Sequence, residues 1–249
     1  MKNFIKKMFS VLYWIGFIFV STFFCLSVLI TRIFTFPFDR YAKIANTVSC
    51  GWGVTSIFIN PNWRLKIKGR KNIKWKGTYV IVANHQSYFD VMVLYTLLRP
   101  YKYLAKDSLK KVPVIGLGMA LNQYIFVKRE DRKSRAYALR KCKEWLENGV
   151  SIAIFPEGTR SPNGQLQPFH TGAFRMAIEA GVPIVPVVIK GTRGILPKHS
   201  FLLGGKTEIQ VLVQDPVPTK DYNISQAKEL KQKVHDQMNQ ELLRNSSLV

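Results

Sequence analysis

Tyr79-Val80-Ile81-Val82-Ala83-Asn84-His85-Gln86-Ser87-Tyr88-Phe89-Asp90 is the stretch that settles how this chain is organised. Its first five residues form an unbroken apolar run, the pattern of a strand covered on both faces. The seven residues 84–90, among them Asn84, His85, Gln86, Ser87 and Asp90, interrupt it, and a second apolar run, Val91-Met92-Val93-Leu94, follows. Ser87 can cap a helix over residues 88–98, which Arg99-Pro100 would stop. Strand, short loop and helix in succession are the unit of an α/β fold.

The same alternation recurs on either side. Trp63, Leu65 and Ile67 alternate with Arg64, Lys66 and Lys68, a half-buried strand with a basic outer face. Short apolar runs at 101–105, 124–127, 150–155, 184–189 and 208–213 predict five more strands. A helix is expected to start at Asp107. An irregular one spans 112–121, where Pro113, Gly116 and Gly118 interrupt the apolar pattern. Asp131 opens an amphipathic helix that Asn148-Gly149 closes, and a further helix over 173–180 ends at Gly181. Ala227, Leu230, Val234, Met238 and Leu242 recur at helical spacing near the C-terminus. The expected architecture is α/β: a single mixed, largely parallel sheet flanked by helices over residues 61–249. An N-terminal membrane-embedded helical segment, residues 1–60, precedes it.

That N-terminal assignment rests on charge and hydropathy. The chain has 249 residues, enough for one sizeable domain, and carries a net charge of +22. Its first 89 residues hold 13 basic side chains and one acid, Asp39. Such an imbalance attracts polyanions, either nucleic acid or an anionic membrane surface. The 24 residues between Lys7 and Arg32 contain no charge at all, which decides for the membrane. As a helix they reach about 36 Å, against a hydrocarbon core of roughly 30 Å. A cleaved signal peptide is disfavoured by the length of the run and the lack of a small-x-small cleavage site. One helix could span the bilayer. Alternatively, it could pair with the weaker apolar stretch 44–59, interrupted by Gly51 and Gly53, as a hairpin dipping into one leaflet. Cys25, Cys50 and Cys142 have no metal-ligand spacing and read as buried thiols facing a reducing compartment.

Residues five apart on a continuous helix diverge by about 140°, so His85 and Asp90 would not meet there. A strand-to-helix junction changes this, since His85 then sits in the loop and Asp90 in the first helical turn. The pair reads as a general base with its orienting carboxylate, at the strand end where open α/β sheets bind ligands. It also reads as a capping box, Ser87-x-x-Asp90, in which Asp90 serves only the helix start. Phe155-Pro156-Glu157-Gly158-Thr159-Arg160 follows another buried strand. Pro156 and Gly158 are ordinary punctuation there. Glu157 and Arg160 are not, and Arg160 can fork onto a phosphate. Lys106 and Arg129 end two more predicted strands. Each alone is a solvated cation; together at one sheet edge they point to an anionic substrate.

At this point the chain resembles the glycerolipid acyltransferases. Residues 84–90 match the first motif of that family, Ile125-Phe126-Val127-Lys128-Arg129 the second, residues 155–160 the third and Val182-Pro183-Ile184-Val185-Pro186-Val187 the fourth. The likeness covers residues 73–191, with all four in order. Gln123 stands where a glycine is usual, Lys128 where an acid is common, and Thr171 where a lysine is frequent. These departures bear on which acceptor is used.

The resemblance implies transfer of a fatty acyl group from an acyl thioester to the free sn-2 hydroxyl of a 1-acylglycerol-3-phosphate, giving phosphatidic acid. His85 would be the base and Asp90 its orienting partner. Lys106, Arg129, Glu157, Gly158, Thr159 and Arg160 would hold the acceptor. It implies no metal and no bound cofactor, the donor being acyl-CoA or acyl carrier protein. The implied partners are the lysophospholipid and anionic membrane lipids, not nucleic acid. The implied place is the cytoplasmic face of a bacterial inner membrane, with the N-terminal helices embedded in one leaflet. Three further readings stay open: the same chemistry on another lyso-lipid, such as a lyso-amino-acid lipid; a membrane-bound hydrolase; and a non-catalytic basic membrane or nucleic-acid-binding protein.

Overall fold

The apolar runs build a seven-stranded sheet. A computed structural model describes residues 2–128, 130–196 and 200–244. Along the chain the helices are α1 Lys2–Thr35, α2 Lys43–Phe58, α3 Phe89–Tyr95, α4 Ile115–Leu121, α5 Arg132–Glu147, α6 Gly172–Glu179 and α7 Ala227–Leu243. The strands are β1 Trp63–Lys68, β2 Val80–Ala83, β3 Tyr101–Lys106, β4 Ile125–Val127, β5 Ser151–Ile154, β6 Ile184–Lys190 and β7 Thr207–Val213. They lie in the order β1-β7-β6-β2-β5-β3-β4. Only β6 and β7 pair antiparallel, so the sheet is mixed and largely parallel, as the sequence pattern implied.

Position in the sheet explains each strand's sequence. β2 lies between β5 and β6 and is buried on both faces, which is why it reads as a continuous apolar run. Its period of two still shows: Ile81 and Ala83 join the core beneath α1 and α3, whereas Val80 and Val82 join the core beneath α5, α6 and α7. β1 is an edge strand, and Arg64, Lys66 and Lys68 point to solvent as their alternation predicted.

Two local readings need correction. The helix expected over 88–98 ends at Tyr95, and Leu98 turns away with a φ of +55°. The helix expected from Asp107 is a single 3₁₀ turn, Asp107–Lys111. The apolar stretch 44–59 forms α2, with Gly51 and Gly53 inside it. A Cβ on Gly53 would collide with the Tyr95 Cβ, and one on Gly51 would lie 2.6 Å from the Phe24 ring. Both glycines let neighbouring helices approach.

The N-terminal helices pack together and onto the sheet domain. Asp39 caps α2, its two oxygens accepting the Lys43 and Ile44 amides at 2.8 and 2.9 Å. Near one end of α1, the Tyr13 ring packs at a tilt against Trp63 and Phe89, and its hydroxyl donates to the Ser56 carbonyl at 2.9 Å. Toward the other end, Val28 packs with Ala42, Ala45 and Leu121. The opposite face of α1 exposes Phe19, Phe23, Leu26, Ile30 and Ile33. By length and composition α1 could cross a membrane. All three cysteines are buried free thiols.

Candidate active site

Four parallel strands, β2, β5, β3 and β4, lie side by side and end at one edge. The chain leaves β2 at Ala83 and is pinned immediately by Asn84. Its amide donates to the Ile189 carbonyl at 2.9 Å and accepts the Ile189 N–H at 2.7 Å. This clamp to β6 fixes where the next residue, His85, emerges. The sequence pattern contains Asn84 but gives no hint of its partner 105 positions away.

His85 Nδ1 lies 2.8 Å from Asp90 Oδ2. The same oxygen accepts the Gln86 and Ser87 amides at 2.6 and 2.8 Å. Asp90 therefore also serves the chain entering α3, and one oxygen makes both the contact to the imidazole and those to the loop amides. Ser87 is a weaker cap than expected: among the described residues its hydroxyl meets only the Phe89 amide, at 3.3 Å, and the residue directly before the helix is Tyr88. Phe155 stacks on the His85 ring at 4.2 Å between centroids. An imidazole held by a carboxylate at Nδ1 carries its proton there, leaving the Nε2 lone pair as the reactive one. The His85 side chain is 16% exposed, so this lone pair can meet a substrate.

The loop after β5 closes over the same spot. Glu157 is 5% exposed, and its oxygens accept the His85 amide at 2.6 Å and the Gln167 amide at 3.0 Å. The carboxylate expected on the acceptor is thus turned inward, where it braces His85 and the loop at Gln167. Burial pushes its pKa up, against the two amide donors that favour the anion. Gly158 adopts a φ of +69°, where a Cβ would also crowd His170 at 3.1 Å. Ser161 then donates its amide to the His85 carbonyl at 2.8 Å, tying the end of this segment back to the first motif.

The remaining predicted residues divide. Thr159 is exposed, and the Arg160 guanidinium lies 3.8 Å over the Tyr88 ring. Lys106 is exposed at the end of β3. Arg129 falls outside the described residues. An apolar cleft opens between α1, α2, α3 and α4, lined by Phe24, Val28, Trp52, Ile115, Met119 and Val91, the residue after Asp90. On its polar side Asn46 donates to the Tyr124 hydroxyl at 2.7 Å, and Tyr124 meets Tyr95. Beside Tyr124 lies Lys102, 1% exposed, which donates to the Asn122 carbonyl. Burial brings its pKa down to about 7, against the attraction of Asp39.

The α/β sheet thus carries a histidine–carboxylate pair at its strand ends, beside an apolar cleft. The sequence model of the Acyltransferase family matches residues 64–190, and the chain belongs to that family. It is 36% identical over 186 residues to a chloroplast 1-acyl-sn-glycerol-3-phosphate acyltransferase of Brassica napus, covering 74% of this chain and 54% of the relative. A 1-acyl-sn-glycerol-3-phosphate acyltransferase of Borreliella burgdorferi is 33% identical over 143 residues, 57% of each chain. The crystal structure of the 1-acyl-sn-glycerophosphate acyltransferase PlsC from Thermotoga maritima superposes with a TM-score of 0.78 at 27% identity. The match covers 95% of this chain and 96% of that one. The chain spans about half the length of the plant and algal relatives it matches.

Proposed function

We propose that the protein transfers a fatty acyl group from an acyl thioester to the sn-2 hydroxyl of 1-acylglycerol-3-phosphate, giving phosphatidic acid. The observation that carries this reading is the His85–Asp90 pair, with Nδ1 held at 2.8 Å by a fully buried carboxylate. Nε2 removes the hydroxyl proton as the oxygen attacks the thioester carbonyl. The tetrahedral intermediate collapses, breaking the C–S bond, and the departing sulfur takes the proton from Nε2. Ester and free thiol result, and the base is regenerated. Asp90 holds the tautomer throughout and stabilises the transient imidazolium. Arg160 and Lys106 pair with the acceptor phosphate.

The acyl chains and the membrane segment fit the same reading. Val28, Phe24 and Ile115 line the cleft beside α3. α1 and α2 lie as a hairpin in one leaflet, and the basic residues of the first 89 positions meet anionic headgroups on the cytoplasmic face. In support, α1 touches the sheet domain at both Tyr13 and Val28, about 22 Å apart along a helix axis. A helix bound along that length cannot stand across the bilayer without drawing the domain into the hydrocarbon.

The departures that suggested another acceptor have a backbone reading. Gln123 adopts a φ of +58°, a conformation that favours the glycine usual there, and its side chain bonds the Arg40 carbonyl at 3.0 Å. Thr171 stands at the start of α6. The test is a panel of lyso-lipid acceptors with acyl-CoA and acyl carrier protein donors, products read by mass spectrometry. Phosphatidic acid should form from lysophosphatidic acid, and His85→Ala should abolish it with folding intact. No acylation of lysophosphatidic acid, or full activity in His85→Ala, would overturn the proposal.

A further inference from the structure

Tyr88 is the one residue between Ser87 and Asp90 that faces outward. Ser87, Phe89 and Asp90 are all at most 1% exposed, whereas Tyr88 is 58% exposed. An exposed tyrosine at the start of a seven-residue helix does nothing for the core. Its ring is nevertheless covered, by the Arg160 guanidinium at 3.8 Å from the centroid. The two residues come from different strand ends, and the contact forms because Ser161 is bonded to the His85 carbonyl at 2.8 Å.

We infer that Tyr88 is a positioning residue that holds Arg160 ready for the acceptor phosphate. This rests on the acceptor reading above. A guanidinium lying on an aromatic face keeps its N–H donors in its own plane, directed outward from the ring edge. Stacking thus limits the rotamers of a long side chain without using the donors a phosphate needs. Among the described residues the Arg160 guanidinium has no hydrogen bond or ion pair, so its donors are uncommitted. Glu157, three residues earlier, is committed to two backbone amides. The acceptor contact in this segment therefore falls to Arg160, and its orientation to Tyr88.

Steady-state kinetics of the full chain in detergent, with lysophosphatidic acid varied against a fixed acyl-CoA, test this. Tyr88→Leu should raise the acceptor KM about two- to fivefold, the range an exposed cation–π contact supports. kcat and the donor KM should stay level, and Tyr88→Phe, which keeps the ring face, should restore the acceptor KM. In an Arg160→Ala background, Tyr88→Leu should add nothing. An acceptor KM unchanged in Tyr88→Leu, an undiminished effect without Arg160, or a Tyr88→Phe as impaired as Tyr88→Leu would each overturn the inference alone. An inactive wild type, or an Arg160→Ala with normal acceptor KM, would take the acceptor reading down with it.

Discussion

His85 Nδ1 and Asp90 Oδ2 stand 2.8 Å apart, and the carboxylate oxygen that faces the ring also accepts the Gln86 and Ser87 amides. One buried atom therefore sets both the backbone of the loop and the tautomer of the imidazole. Asp90 Oδ1, in contrast, is buried without a partner among the described residues. An asparagine can place its oxygen at Oδ2 and its nitrogen at Oδ1, keeping the loop and losing only the charge. Asp90→Asn should thus fold normally while kcat falls about 10²- to 10⁴-fold. Asp90→Ala should lose activity and also stability, by about 1–3 kcal/mol for the buried Ser87 N–H left without an acceptor. Thermal unfolding alongside acyl-transfer rates separates the two. Near-normal turnover in Asp90→Asn would remove the aspartate from the mechanism.

Glu157 gives a prediction about pH. Burial raises its pKa in the folded protein. Between its unfolded and folded pKa values the folded state binds the proton more readily, so stability falls as pH rises through that window. The contribution of the neutral acid is complete below the unfolded pKa and lost above the folded one. Glu157→Gln cannot ionise, so its melting temperature should be less sensitive to pH across that interval. It should be lower than wild type throughout, because an amide offers only one oxygen to the His85 and Gln167 N–H groups. Parallel melting curves from pH 4 upward decide the matter; identical pH profiles for the two proteins would refute it.

Glu157 and Asn84 also show where a sequence stops being legible. The order of strands and helices could be read, because β2 and its neighbours are buried on both faces and must be continuously apolar. His85 and Asp90 could be read as a pair, because five residues around a strand-to-helix junction leave few geometries. The partner of Asn84 is 105 positions away, and that of Glu157 is 72. Tyr88 meets Arg160 only after β5 has been laid beside β2. Pairings of that kind follow from strand order, and strand order follows from packing that no local pattern encodes. The close approach of neighbouring helices at Gly51 and Gly53 is hidden for the same reason. A glycine that breaks a helix and one that admits a neighbouring helix look alike until the neighbour is known.

Lys102 lies in β3 as the one charged side chain among strand residues that are otherwise apolar or aromatic before Lys106. Its amine donates to the Asn122 carbonyl and, at 3.5 Å, to the Ala42 carbonyl. Burial lowers its pKa from 10.5 to about 7, with Arg32 and Lys43 adding to the effect and Asp39 opposing it. From about pH 7 up to the unfolded value, the unfolded chain holds a proton that the folded one has released, so wild-type stability rises with pH. Lys102→Met has no such proton. Relative to wild type it should be most favourable at pH 6, and its standing should decline steadily toward pH 9. Melting temperatures of both proteins at several pH values check this, and a constant difference would show that Lys102 keeps an ordinary pKa.

The arrangement of α1 distinguishes a hairpin from a span. Lys6, in the first turns of α1, precedes the charge-free run, and Arg40 follows the end of the helix. If α1 crossed the bilayer, these two positions would face opposite compartments. If α1 and α2 dip into one leaflet, both face the side that holds the sheet domain. The contacts of Tyr13 with Trp63 and of Val28 with Ala42 and Leu121 favour the second arrangement. The native thiols Cys25, Cys50 and Cys142 are buried, so single cysteines at Lys6→Cys and Arg40→Cys can be followed against a low background. A membrane-impermeant maleimide should label both positions in inverted membrane vesicles and neither in intact spheroplasts. Labelling of Lys6→Cys and Arg40→Cys from opposite sides would establish a spanning helix. The Tyr13 and Val28 contacts could not then both persist in the membrane-bound protein.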